Sequence, residues 1–366
     1  MTTTPTSLHA LRKLTTLGLC LVAGAALATT TPRPTAGKQR PPPVNEVRYD
    51  QHVEATAFAQ EVAQRNGWDP VWVREQIGQA RHLPSVVRLV LPAPAGTPKN
   101  WGAYRARFIE PRRIQAGLRY WQAHRDTLAR AEAEFGVPAS LIVGVIGVET
   151  LYGQHLGQFR VLDALSTLAF DFPSAHPRAQ ARQALFRDEL EQLLKLARQL
   201  GRDPATLRGS FAGAMGWPQF LPSSWLRYAI DFDDDGRVDL FDSQADVIGS
   251  VANYFKAFGW QTGMPTHYPV QFDRARLDLP TLLAPDIRPT FDADTFEALG
   301  VRLEGQARQH SGPMALVELE NGEAPRSYVA GTQNFYVVTR YNWSSYYALA
   351  VIELGETIEV LLEPGR

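Results

Sequence analysis

One carboxylate stands apart in this sequence. Between Phe135 and Gln154 the only charged side chain is Glu149, set near the end of the apolar and glycine-containing run LIVGVIGVETLYG, residues 141–153. A helix built from that run must hold the carboxylate against hydrocarbon or at the floor of a cleft, an expensive place for a charge. Glu149 falls in the last turn of such a helix. Carbonyls without intrahelical partners gather there, and the negative end of the helix dipole disfavours an anion. Burial and dipole both push its pKa up, favouring a carboxyl that is protonated near neutral pH and able to donate, as a general acid must. A buried Glu satisfied by an Arg or a backbone N–H would look the same locally, so the choice falls to the rest of the chain.

Three further stretches carry chemistry. DFDDDGRVDLFD, residues 231–242, puts carboxylates at the first, third and fifth places of a loop, glycine at the sixth and an acid at the twelfth. This is the calcium-loop pattern, with Asp in place of the closing bidentate Glu: oxygens at alternating positions face a hard cation while the glycine permits the turn. Asp231, Asp233 and Asp235 are the candidate ligands, and Asp242 and Asp246 compete for the last position. GSFAGAMGWPQFLPSS, residues 209–224, combines small residues and turn formers with isolated polar groups, Ser210, Gln219, Ser223 and Ser224. Such a backbone can line a groove and approach a ligand closely. In NFYVVTRYNWSSYY, residues 334–347, aromatic rings crowd around Asn334 and Asn342. Aromatic faces with amides nearby suit a sugar, whose C–H faces stack while its hydroxyls need hydrogen bonds; core packing accounts for part of the cluster.

The elements that must position these residues are mostly helical. From Val47 apolar residues recur at helical spacing; Asn66-Gly67 ends a first helix and Asp69-Pro70 opens a second. Residues 91–102 form a loop rich in Pro, Gly and Asn, after which the pattern predicts one long helix from Pro111 to Phe135, stopped by Gly136. Pro138 suits the first turn of the Glu149 helix. Amphipathic helices follow over 178–200 and from Val247 to Phe258, and an apolar helix over 345–362 closes the chain. Between His267 and Gly331 short alternating runs flank Asn321-Gly322, a strong hairpin signal within a small β-rich unit.

With 366 residues, 45% hydrophobic and 20% charged, the chain can bury a sizeable core. A formal net charge of -1 and the absence of clustered Lys and Arg argue against nucleic acid as a partner. The N-terminus has the form of an export signal: Arg12 and Lys13, an apolar run from Leu14 to Leu27, and Ala26-Leu27-Ala28 as a cleavage site. Cys20, the single cysteine, lies inside that run and is preceded by Leu19 rather than a small residue, which favours a soluble exported protein over a lipid-anchored one. The mature chain is then expected to hold no thiol and no stable transmembrane segment. The boundaries expected are a signal peptide over 1–28, a Pro-rich tether over 29–46, a helical domain over 47–135, a catalytic core with the acidic loop over 136–262, a small β-rich domain over 263–331, and a segment over 332–366 that returns to the groove.

Taken together, IVGVIGVETLYG, GSFAGAMGWPQFLPSS, the acidic loop followed by IGSVANYF, and NFYVVTRYN resemble the B-type lytic murein transglycosylases, exported enzymes that cut the glycan strands of bacterial cell wall. The resemblance runs from about Val47 to the C-terminus. It implies a mainly α (α+β) fold with a lysozyme-like core, an EF-hand-like metal loop, an added helical domain and a small β domain. It places the single catalytic acid/base on Glu149 and sugar-binding positions on Ser210, Gln219, Tyr254, Asn334, Tyr341 and Asn342. It implies a structural Ca2+ held by Asp231, Asp233, Asp235, the carbonyl of Arg237 and Asp246, although the approach to Asp246 is one residue longer than the pattern and leaves Asp242 in contention. Trp217-Pro218 departs from the Tyr-Gly of some members.

The resemblance also implies a periplasmic location, peptidoglycan glycan strands as substrate, and wall-synthesis proteins as further candidate partners. Glu149 would protonate the bond between N-acetylmuramic acid and N-acetylglucosamine, then take the proton of the muramic acid 6-hydroxyl as a 1,6-anhydro ring closes. Two rival functions share the site: a hydrolytic muramidase with the same acid, and a wall-binding protein with a groove but no reaction. Asp163 and Asp171 are the nearest candidates for a second carboxylate, with a structural role favoured for each.

Overall fold

The structure, a computed structural model, describes residues 47–94 and 96–362. The expected signal peptide, Cys20 and the Pro-rich tether lie outside the described residues.

Capping residues set the first helices. In α1 (Val53–Asn66) the His52 ring accepts from the Ala55 amide, and Gly67 ends the helix at φ 64°. In α2 (Pro70–Gly78) the Asp69 carboxylate caps the Val71 amide and Pro70 occupies the first turn, where its missing N–H is harmless. Short α3 (Pro84–Leu89) and α4 (Trp101–Arg105) lead to α5 (Pro111–Ala123) and α6 (Arg125–Phe135). Gly136, at φ 69°, then turns the chain through 116° into α7 (Ala139–Thr150), whose residues from Ala139 to Gly147 are all buried.

Antiparallel β1 (Phe159–Arg160) and β2 (Arg208–Gly209) bracket α8 (Val161–Phe170) and α9 (Ala179–Gln199). Next come α10 (Pro222–Tyr228) and α11 (Gln244–Ala257), with the acidic loop between them. The β-rich unit holds β3 (His267–Pro269), β4 (Gln271–Phe272), α12 (Leu279–Leu283), α13 (Ala293–Ala298), β5 (Val301–Arg302), β6 (Ala315–Asn321) and β7 (Ala324–Gly331). Its main sheet has the order β3-β7-β6, all antiparallel, and β4 pairs with β5. The predicted Asn321-Gly322 turn joins β6 to β7, with Gly322 at φ 66°. The chain ends through α14 (Gln333–Thr339) and α15 (Ser345–Leu362).

The long helix expected over Pro111–Phe135 is two helices. His124 leaves helical geometry at φ -120°, ψ 24°, its ring on that of Tyr120 at 4.6 Å. No Pro or Gly marks this break; tertiary packing imposes it. Both halves pack on α7, but α5 packs also on α15 and α6 also on α11.

Among the described residues the buried apolar side chains form two clusters. The larger one runs from Tyr49 to Ile358 and joins the N-terminal helices, the helices around α7, and α15. The smaller one, around Phe296, Met314 and Leu316, belongs to the β-rich unit. The fold is predominantly helical with small sheets, as the sequence led us to expect. No single described helix is long and apolar enough to cross a membrane.

The contact that matters most for function is between α7 and α15. A methyl group on Gly144 would meet the Val351 carbonyl oxygen at 2.2 Å, and one on Gly355 would meet that of Ser140 at 2.0 Å. Mid-helix glycine costs roughly 0.5–1 kcal/mol relative to alanine. Overpacking against backbone costs roughly 1–3 kcal/mol. The close approach therefore outweighs helix propensity, and it brings the first turns of α15 beside the last turn of α7.

Candidate active site

Glu149 sits in the last turn of α7, partly exposed at the bottom of a cleft lined also by Gln219, Phe220, Leu221, Ser224, Tyr254, Tyr341 and Asn342. Its Oε1 accepts a hydrogen bond from the Tyr347 hydroxyl at 2.6 Å. No other described side chain or amide donates to the carboxylate. Burial among apolar and aromatic groups raises its pKa to about 7, against the lowering effect of the Tyr347 bond. The Tyr347 phenol is itself held well above its ordinary pKa by burial and by the Glu149 charge, so it stays a donor. Near the end of α7, Gly147 O accepts the Leu151 amide at 3.1 Å and also the Arg113 guanidinium.

Among the described residues no second carboxylate lines this cleft. Asp163 accepts from the Arg81 amide at 3.0 Å and pairs with Arg160 at 3.5 Å. Asp171 accepts from the Tyr49 hydroxyl. Both are structural.

The loop between β2 and α10 forms one wall. Gln219, at φ 51°, donates from Nε2 to Leu156 O and Gly216 O at 3.3 and 2.9 Å, and its Oε1 has no partner among the described residues. Ser210 Oγ accepts from the Ala212 and Ala214 amides at 3.3 and 3.0 Å; it fastens the start of the loop and lies outside the cleft lining. Ser223 gives its amide and hydroxyl to the buried Glu189, at 3.0 and 2.5 Å, which leaves Ser224 to face the cleft.

Aromatic residues form the opposite side. Tyr254 donates to Arg340 O at 2.8 Å and Tyr341 donates to Pro218 O at 2.6 Å, so both hydroxyl protons are committed to backbone. Buried Asn342 Oδ1 has no hydrogen-bond partner, an unmet acceptor beside Glu149. Asn334 differs from the sequence expectation. It is fully buried, its Nδ2 donating to Gln261 O and Met264 O and its Oδ1 accepting from the Gln261 amide, all at 2.8 Å. These bonds tie α14 to the chain leaving α11, and Asn334 lies outside the cleft lining.

A second cavity measures about 730 Å3. Asn342 lines the small cleft and the next residue, Trp343, lines the large one, together with Tyr104, Tyr346, Lys99, Glu318 and Ser345. Its volume is within the roughly 300–1,000 Å3 of ordinary ligand sites.

In the acidic loop the carboxylate oxygens of Asp231, Asp233 and Asp246 lie within 4.8 Å of one another. Asp246 is buried and its two oxygens accept from the Phe232 and Asp239 amides at 2.7 Å each. Burial, and after it the charges of Asp233 and Asp231, push its pKa up. Hard oxygens gathered at this spacing, one of them inside the fold, fit a hard cation. Of the two candidate closing acids, Asp246 is in the cluster, whereas Asp242 is exposed and outside it. Asp235 is also outside the cluster, its Oδ1 accepting from the Arg237 amide at 2.8 Å, which closes the turn around Gly236. Gly236, at φ 87°, sits where the loop pattern requires glycine.

The model of the transglycosylase SLT domain family matches residues 50–356. The chain is 37% identical over 342 residues to the membrane-bound lytic murein transglycosylase B of Escherichia coli (strain K12), covering 90% of each protein. The chain belongs to this family. Its SLT fold superposes on the Escherichia coli lytic transglycosylase SLT35 in complex with calcium with a TM-score of 0.73, at 37% identity over 86% of this chain and 95% of that one. It is also similar to SltB3 from Pseudomonas aeruginosa in complex with NAG-anhNAM-pentapeptide: TM-score 0.68, 28% identity, 84% of this chain and 78% of that one.

Within this SLT domain, sequence reasoning missed the role of Tyr347, counted only among sugar-stacking rings. Gly144 and Gly147, three apart on one face of α7, were the available signal that another element comes close there. Glu189 was also missed, because a Glu in an amphipathic helix carries no mark of burial.

Proposed function

We propose that the chain is a lytic transglycosylase that cleaves the β-1,4 bond between N-acetylmuramic acid and N-acetylglucosamine in peptidoglycan and leaves 1,6-anhydro ends. The observation that carries the mechanism is a lone carboxylate, Glu149, with a pKa of about 7, held by Tyr347 in a cleft that no second acid lines among the described residues. A hydrolase of the common two-carboxylate type needs a partner acid to activate water or to attack the sugar. Here the acid is half-protonated near neutral pH, so one group can serve both steps. Protonated Glu149 donates to the glycosidic oxygen as the bond to the leaving sugar breaks. As a carboxylate it then takes the proton of the muramic acid 6-hydroxyl, whose oxygen attacks C1 and closes the anhydro ring. Tyr347 keeps Oε1 fixed through both steps.

The glycan strand occupies the small cleft and extends into the larger cavity. Asn342 Oδ1 and Gln219 Oε1 accept from sugar N–H or O–H groups, and Tyr254 and Tyr341 present ring faces. Ser210 shapes the loop. Asp231, Asp233 and Asp246 hold calcium, which supplies positive charge to a loop of like charges and takes no part in bond breaking. The related SLT35 was observed in complex with calcium, and SltB3 in complex with NAG-anhNAM-pentapeptide. An export signal before Ala28 and the wall substrate together favour the periplasm.

Digestion in water enriched in heavy oxygen tests this reading. Ring closure within the sugar leaves the new ends unlabelled; a muramidase that uses water labels every reducing end.

A further inference from the structure

Trp217 touches three parts of the site at once. Its indole Nε1 donates to Phe241 O at 2.9 Å and its amide donates to Leu240 O at 3.0 Å. Both acceptors belong to the acidic loop, two and one residues after Asp239, whose amide is held by the cation-cluster residue Asp246 at 2.7 Å. On its other side the Trp217 carbonyl accepts from Thr150 Oγ1 at 3.1 Å, and Thr150 follows Glu149. The indole ring lies against Gly153, where a methyl group would meet it at 2.4 Å. The next two residues, Pro218 and Gln219, reach the cleft: Pro218 O takes the Tyr341 hydroxyl, and Gln219 lines the wall. The path from Asp246 to Gln219 therefore runs through hydrogen bonds and adjacent residues, with the indole as one of its links.

We propose that Trp217 is a positioning residue that locks the acidic loop to the catalytic cleft, so that a cation held by Asp231, Asp233 and Asp246 tightens glycan binding through it. The proposal rests on the calcium and glycan readings above. With the loop unneutralised, repulsion among its carboxylates loosens the segment 239–241. Leu240 O and Phe241 O then no longer fix Trp217, and Gln219 loses its register with Glu149. The indole supplies a bond that phenylalanine cannot make, while its ring packing against Gly153 is largely kept by phenylalanine. Trp217→Phe therefore cuts one link and spares the core.

Two measurements on the full chain test this, one of which involves no glycan. Calcium titration followed by tryptophan emission is expected to change the spectrum of the wild type and to lose most of that change in Trp217→Phe. In a Glu149→Gln background, a soluble N-acetylglucosamine oligosaccharide is expected to bind roughly fivefold tighter with calcium than with a chelator. Adding Trp217→Phe should erase that dependence while calcium still raises the melting temperature. Thr150→Val cuts the link on the cleft side; it should keep the emission change and lose the binding dependence, which covers the case in which Trp217→Phe fails to fold. An unchanged emission response in Trp217→Phe, or binding whose calcium dependence survives both substitutions, overturns the proposal. If calcium neither stabilises the protein nor alters its emission, the cation reading fails and the proposal with it. If emission responds while no oligosaccharide binds, the glycan reading fails and the step from cation to glycan is refuted.

Discussion

The Tyr347 hydroxyl and Glu149 Oε1 meet at 2.6 Å although 198 positions separate the two residues in the chain. The bond exists because Gly144 and Gly355 let α15 lie close on α7. It stabilises the carboxylate, so burial and the bond act on the Glu149 pKa in opposite directions and leave it at about 7. Tyr347→Phe removes the lowering influence. The pH profile of kcat/KM should move to higher pH, and kcat should fall about tenfold or more because Glu149 loses its fixed orientation. An unmoved profile would show that the bond does not govern the acid.

A carboxyl with a raised folded-state pKa binds its proton more tightly folded than unfolded. Its contribution to stability is full below the ordinary carboxylate range and is lost as pH rises towards 7. For Glu149 the loss amounts to at most about 3 kcal/mol, less after allowance for its partial exposure. Glu149→Gln should consequently flatten the dependence of melting temperature on pH between about 4 and 8 and be relatively more stable at the alkaline end. Parallel melting curves for the two proteins would argue against the raised pKa.

The carboxylates of the acidic loop make a separate prediction. Calcium at about 100 times its dissociation constant should add roughly 2.7 kcal/mol of stability. Asp246→Asn should abolish the gain, since Asp246 is the buried member of the cluster, while Asp242→Asn should leave it intact. Differential scanning calorimetry with and without chelator reads both; loss of the gain in Asp242→Asn would return that residue to the ligand set.

Gly144→Ala places a methyl group 2.2 Å from Val351 O. Helix propensity alone predicts a small gain in stability, but the clash predicts a loss of roughly 1–3 kcal/mol. Because α15 carries Tyr347, the same substitution should lower kcat. Chemical denaturation and steady-state kinetics on one variant separate the two effects.

Glu149 was legible because chemistry and composition coincide there: one charge in an apolar helix has few explanations. The loop pattern around Gly236 was legible for the same reason, since glycine and alternating oxygens are dictated by the cation. What the sequence left open is what long-range packing decides. Nothing local distinguishes Asn342, whose Oδ1 is unpaired at the cleft, from Asn334, whose amide is used up holding backbone. Nor does any breaker mark His124, where the helix over Pro111–Phe135 divides into halves that share α7 and then reach α15 and α11 separately. At short range the sequence is also silent on Asp235 Oδ1, which closes the turn on the Arg237 amide.

The central claim is that Glu149 alone performs both proton transfers. Mass spectrometry of peptidoglycan digested by wild type and by Glu149→Gln, at equal concentration and with folding checked by circular dichroism, tests it most directly. The wild type should leave 1,6-anhydro-muramic acid ends, and Glu149→Gln none above background. Anhydro ends that persist in Glu149→Gln, or reducing muramic acid ends from the wild type, would contradict it.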